Sequence, residues 1–153
     1  MSNKPAQVGD PAPDFTLPST QGSVHLSERV AQRPVLLVFY PGDDTPVCTK
    51  QLCNYRDHMG VFSDLGVEVL GINPQSEASH VAFAKKHALP FPLLADQGGT
   101  VCRQYGALSF LGTAKRALVL VGRDGRVKWR RTDFPLFHQT ADDVRGAVAQ
   151  LGF

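Results

Sequence analysis

Two apolar runs set the frame of this chain. Residues 34–40 read PVLLVFY and residues 67–73 read VEVLGIN. Both are short, nearly continuous in apolar character and rich in β-formers, as expected of strands buried on both faces of a parallel sheet. Turn residues follow the first run in PGDD, and a single helix is predicted from about Pro46 to Leu65. After the second run, Ser76 is placed to cap a helix over Glu77–His87, with Val81, Phe83, Ala84 and Ala88 as its apolar positions. LPFPLLAD is too rich in proline for a helix and suits a short strand end. A brief helix follows around Thr100–Tyr105. ALVLV (117–121) and VKWRR (127–131) flank GRDG and read as a hairpin. A last helix is expected over 140–151, with Thr140 as cap and acidic residues in its first turn. Near the N-terminus, turn residues separate short apolar pieces in VGDPAPDFTLPSTQGSVHLSE, which predicts a hairpin or irregular strands.

Strand, helix, strand, helix, hairpin, helix is the order of an α/β protein whose sheet begins parallel and ends antiparallel. Right-handed crossovers put helices on both faces. The expected architecture is therefore a thioredoxin-like fold, a central mixed sheet flanked by helices with an N-terminal hairpin extension, forming one domain over 1–153. In such sheets ligands gather where strand C-termini meet helix N-termini. The passage from VLLVFY into PGDDTPVC is such a place.

Composition narrows the picture. The chain has 153 residues, 42% hydrophobic and 20% charged, with a net charge of +2. Lys and Arg are scattered among Asp and Glu, which gives no electrostatic reason to expect nucleic acid or an acidic membrane as partner. Met1 to Asp14 is polar and proline-rich and does not resemble a signal peptide. No apolar run approaches the ~18 residues of a membrane span. The expected location is the cytoplasm, where thiols stay reduced. The three cysteines are an odd number and make no disulfide scaffold.

Cys48 and Cys53 are five residues apart in YPGDDTPVCTKQLCNYRD. Thr45-Pro46 is a strong helix start, with Thr as N-cap and Pro at the first helical position. Cys48 then lies in the first turn, where free N–H groups and the helix dipole favour a thiolate. Thr45 is also within reach of the sulfur. On a helix, five residues give ~7.5 Å of rise and ~140° of rotation, so the two Cα atoms stand roughly 8.7 Å apart. A disulfide spans at most about 7 Å between Cα atoms. The pair is thus kept apart while the helix is intact, and local unwinding would be needed to join it.

This segment resembles the active site of the peroxiredoxins, and most closely the Q-type, or bacterioferritin comigratory protein, subgroup. The pattern Pro-x-x-x-Thr-x-x-Cys is met by Pro41, Thr45 and Cys48. The subgroup's second cysteine is met by Cys53, and the following aromatic-Arg-Asp by Tyr55, Arg56 and Asp57. GDPAPDFTLPSTQG, GINPQSEASHVAFAKKHALPFPLLAD and KRALVLVGRDGRV extend the likeness over about Val8 to Leu151. The resemblance implies a thiol peroxidase acting on hydrogen peroxide and organic hydroperoxides in antioxidant defence. It implies that Cys48 is the peroxidatic cysteine and that Cys53 resolves its sulfenic acid as an intramolecular disulfide. Thr45, backbone N–H groups and Arg116 would stabilise the transition state, Gln51 would orient the arginine, and Pro41 would roof the pocket. The expected reductant is thioredoxin or a similar dithiol. No cofactor and no metal are needed, and a monomer is expected because the extended C-terminal arm of dimeric relatives is lacking.

Val47 stands where many relatives have glycine, which stiffens the first turn. NPQS (73–76) and the aliphatic RALVLV also depart from the pattern. Other readings stand beside the sharp one. Cys48 and Cys53 can be small core residues, Arg116 a surface ion-pair residue, Pro41 a turn former and Gln51 a helix-surface residue. Cys102, in GTVCRQYGA, is expected to be an inert core residue. A disulfide oxidoreductase would normally separate its cysteines by two residues, where four intervene here. A thioredoxin-like module binding a metal or a partner is the remaining alternative.

Overall fold

The computed structural model describes residues 4–133 and 138–151. Seven strands form one sheet in the order β2-β1-β5-β4-β3-β6-β7. At its centre, β3 (Val35–Phe39) and β4 (Glu68–Asn73) pair in parallel, and β5 (Leu93–Ala95) extends that parallel set. On one side β6 (Arg116–Val121) and β7 (Val127–Asp133) add antiparallel strands. On the other side the N-terminal hairpin, β1 (Thr16–Ser19) and β2 (Gly22–His25), joins β5 through Ser19 opposite Leu94. The parallel start, antiparallel end and N-terminal hairpin are those read from the sequence.

Side chains alternate across the sheet. Val35, Leu37 and Phe39 enter one core layer, with Leu26 and Val30 of α1 (Leu26–Val30) and Val101 and Cys102 of α5 (Thr100–Gln104). Leu36, Val38 and Tyr40 enter the other layer. Its partners come from α2 (Pro46–Asp57), α3 (Met59–Leu65), α4 (Glu77–His87) and α6 (Ala141–Ala149). Gly71 on β4 makes room for Tyr40, because a Cβ there would sit 3.3 Å from the Tyr40 ring and 2.7 Å from Leu93. The predicted caps of α4 and α6 are present: Ser76 accepts from the Ser79 N–H, and Thr140 forms a capping box with Asp143.

The expected helices need correction in two places. The single helix over 46–65 is two helices, broken at His58 (φ −126°, ψ 33°). There the His58 ring takes up the Asn54 carbonyl at 2.8 Å, while its own N–H bonds Tyr55 O, one residue short of the α-helical partner. The helix α1 had no counterpart in the sequence reading.

Candidate active site

The residues singled out in YPGDDTPVC lie where β3 passes into α2, at the C-terminal edge of the parallel strands. Val47 and Cys48 precede the first intrahelical hydrogen bond, Thr49 N–H to Thr45 O at 2.8 Å, so their N–H groups open at the helix N-terminus. Thr45 occupies the N-cap position in extended geometry, but its side chain does not cap the helix. Its hydroxyl instead donates back to Gly42 O at 2.9 Å. The expected side-chain cap is therefore replaced by a brace across the preceding turn. The hydroxyl proton is spent there and not on the sulfur. The N-terminal donors of α2 are left without a side-chain acceptor from the cap. The turn itself passes through Asp44 in the left-handed region (φ 59°), which Asp tolerates better than most residues.

Cys48 is fully buried. Arg116, first residue of β6, lies just beyond the Phe39–Ala117 pair and thus beside the end of β3. Arg116 is only 2% exposed. Nη2 donates to Cys48 Sγ at 3.1 Å, and Nη1 donates to Gln51 Oε1 at 2.6 Å. Lys115, its neighbour, faces solvent as strand alternation requires. Gln51, also fully buried, passes the chain on: its Nε2 donates to the Tyr55 hydroxyl at 3.1 Å, and that hydroxyl donates to Gln139 O at 2.8 Å. Cys48, Gln51, Leu52 and Tyr55 are the buried residues of α2, a stripe at i, i+3, i+4 and i+7. A positive fork held at a buried sulfur stabilises negative charge there, and charge moving off sulfur during a displacement. His138 also lies in the field of this cation. Burial first, then the Arg116 charge, holds its imidazole below the usual range.

Pro41 is half-buried beside this turn, and Val47 is half-buried in the first turn of α2. Cys53 is half-buried on the same unbroken helix, and all three cysteines are free. Cys102 lies in the opposite core layer. Burial and then the Asp96 carboxylate push its thiol far up.

A second buried polar cluster backs the turn, and the sequence reading missed it. Tyr40 donates to Asp43 Oδ1 at 2.6 Å, while Ser79 and the His80 Nδ1 meet Oδ2 at 2.7 Å each. His80 Nε2 faces Leu94 O at 3.0 Å. A carbonyl oxygen only accepts, so this nitrogen carries a proton. Burial alone would raise the Asp43 carboxyl, yet the bonds from His80, Tyr40 and Ser79 hold it below its usual range. Asp43 and His80 are 37 positions apart, a pairing visible only once α4 packs beside the turn. By motif alone Tyr55 is only the aromatic of the aromatic-Arg-Asp run. Its place at the seventh position after Cys48, on the apolar stripe, was the available signal.

Cavities among the described residues also open away from Cys48. One of about 590 Å³ is lined by Gln32, Arg33, Arg123 and Lys128, at the far end of β3. The chemistry-bearing groups converge on Cys48, so geometry and not cavity size marks the site.

The AhpC/TSA family model matches residues 8–130. This chain belongs to that family. Over 102 residues it is 46% identical to the putative peroxiredoxin bcp of Coxiella burnetii, a match covering 67% of this chain and 68% of that protein. It is 45% identical over 103 residues to the chloroplastic peroxiredoxin Q of Triticum aestivum, covering 67% of this chain and 48% of the longer relative. The crystal structure of peroxidoxin BcpB from Mycobacterium tuberculosis superposes with a TM-score of 0.82 at 31% identity, over 96% of this chain and 97% of that one. The chain is thus a peroxiredoxin of the Q/bcp kind with a thioredoxin-like fold, and an oxidoreductase of the peroxidase class. Among the described residues no helix is long and apolar enough to cross a membrane.

Proposed function

We propose that this peroxiredoxin reduces hydrogen peroxide and organic hydroperoxides through Cys48, with Cys53 as the resolving thiol. The observation that carries the reading is the Arg116 Nη2 donor 3.1 Å from the buried Cys48 sulfur, at the open N-terminus of α2. The Cys48 thiolate attacks one peroxide oxygen, an S–O bond forms and the O–O bond breaks. The departing oxygen takes a proton and leaves as water or an alcohol, and Cys48 becomes a sulfenic acid. Arg116 and the N–H groups of Val47 and Cys48 meet the charge spread over sulfur and both oxygens. The Thr45 hydroxyl, its proton given to Gly42, keeps lone pairs with which to accept from a hydroperoxide O–H. Pro41 limits water and bulk above the sulfur.

The Cys53 thiolate then attacks the sulfenic sulfur, forms the Cys48–Cys53 disulfide and expels hydroxide, which is protonated to water. On the intact helix the two Cα atoms are roughly 8.7 Å apart, beyond disulfide reach, so the start of α2 must unwind first. A dithiol protein such as thioredoxin returns both thiols by exchange. The same reading takes the protein to act as a single monomeric domain in the cytoplasm, in antioxidant defence.

The test is Cys53→Ser. This variant is expected to consume one equivalent of peroxide and stop as a Cys48 sulfenic acid trapped by dimedone. Sustained thioredoxin-dependent turnover in the variant would rule out Cys53 as the resolving residue.

A further inference from the structure

We propose that Tyr55 is a positioning residue for the peroxidase reaction, acting through the Gln51 amide on the Arg116 fork. The inference rests on the proposed role of Cys48. A phenol has one proton, and Tyr55 spends it on Gln139 O, an atom that only accepts. Toward Gln51 the phenol oxygen is therefore an acceptor. It selects the Gln51 Nε2 end at 3.1 Å, which turns Oε1 onto Arg116 Nη1 at 2.6 Å. The guanidinium is planar and rigid, so fixing one arm aims the other, Nη2, at the Cys48 sulfur.

The alternative orientation of the amide fails twice. It sets NH₂ against guanidinium N–H groups and sets Oε1 against a phenol whose proton is already engaged. Gln51 and Tyr55 are fully buried and Arg116 is 2% exposed, so water does not repair either mismatch cheaply. Burial also pushes the Tyr55 phenol far up, which keeps it protonated and the polarity of the chain fixed. The device is needed because position 51 is an amide, with one donating and one accepting end. A carboxylate there has two accepting ends and needs no such sorting.

That difference supplies the test. The second-order rate constant for Cys48 oxidation by hydrogen peroxide is measured by rapid quench, thiol labelling and mass. Tyr55→Phe keeps the ring and its edge contact with Phe62 at 5.3 Å. It is expected to slow the reaction about fivefold, the size of one net hydrogen bond. In a Gln51→Glu background the same substitution is expected to cost less than about twofold, because the carboxylate presents an acceptor to Arg116 unaided. A loss below about twofold in the wild-type background, or an equal loss in both backgrounds, overturns the proposal, since a merely structural phenol is indifferent to residue 51. The side-chain resonances of Gln51 and Arg116 give a readout without peroxide. Both should shift in Tyr55→Phe, and an unmoved Arg116 signal overturns the positioning role. If the wild-type protein does not react with peroxide, the function proposed for Cys48 fails, while these resonances still decide what Tyr55 does.

Discussion

Cys48 and Cys102 are nearly the same by local sequence and opposite by surroundings. Each is fully buried, each is the third residue of its helix, and each follows a valine, in TPVC and GTVC. At α5 the helix N-terminus is filled from within. The Asp96 carboxylate accepts the N–H groups of Val101 at 3.1 Å and Cys102 at 2.8 Å, and its charge opposes a thiolate beside it. At α2 the N-cap side chain turns away to Gly42, and the charged neighbour of the sulfur is a cation. Under the proposed function, then, position at a helix N-terminus does not by itself separate the peroxidatic cysteine from the inert one. The difference is whether the end is already occupied, and by which sign of charge. The sheet also divides them, since the two lie in different core layers.

Loss of the one thiol or the other should have very different consequences. Cys48→Ser should reduce peroxide consumption to background. Cys102→Ala should leave the rate within about twofold and cost about 1 kcal/mol of stability. Steady-state assays and denaturant titrations of both variants check this. Next in size is removal of the cation. Arg116→Met should lower kcat/KM for hydrogen peroxide by about 10²–10³-fold, as loss of an aimed transition-state donor does. A change smaller than about threefold would deprive the guanidinium of its role.

The converse change, at the Cys102 end, is Asp96→Asn, made with Cys48 and Cys53 both replaced by Ser. Iodoacetamide should modify Cys102 about three- to tenfold faster than in the parent with Asp96, because the opposing charge is gone. The folded protein should lose about 1 kcal/mol as the helix end loses part of its acceptor.

Legibility followed sequence distance. The strands at 34–40 and 67–73 were visible because a strand buried on both faces needs a continuous apolar run. Helix α1 was not, since it starts directly from the end of β2 at His25, with no turn residues and no side-chain cap to mark its start. The break at His58 depends on a ring finding the Asn54 carbonyl, which no propensity encodes. In the site, Cys48 and Cys53 announced themselves by spacing. Arg116 is 68 positions from Cys48 and was found through family resemblance alone. Gln51 and Tyr55 were readable as polar members of an apolar helical stripe, yet only their contacts give the polarity of the chain.

Two smaller effects refine the contrast. Burial, first among the causes, raises the Cys102 thiol from an ordinary 9.0, and raises Tyr40, Tyr55 and Tyr105 from 10.0. A group raised in the fold contributes stability fully present below its unfolded value and lost as pH climbs past it. Stability by urea titration should therefore hold to about pH 9 and then fall, and Cys102→Ala should remove the earliest part of that fall. Last, Val47→Gly should loosen the first turn of α2 by about 1 kcal/mol. It should speed the step from sulfenic acid to disulfide by up to about fivefold, as followed by rapid quench.

The most direct measurement treats the reduced protein with one equivalent of hydrogen peroxide, quenches it within a second, alkylates the remaining thiols and maps the peptides. The proposed mechanism yields a Cys48–Cys53 disulfide with Cys102 alkylated as a free thiol. Oxidation at Cys102, or three intact thiols, would contradict it.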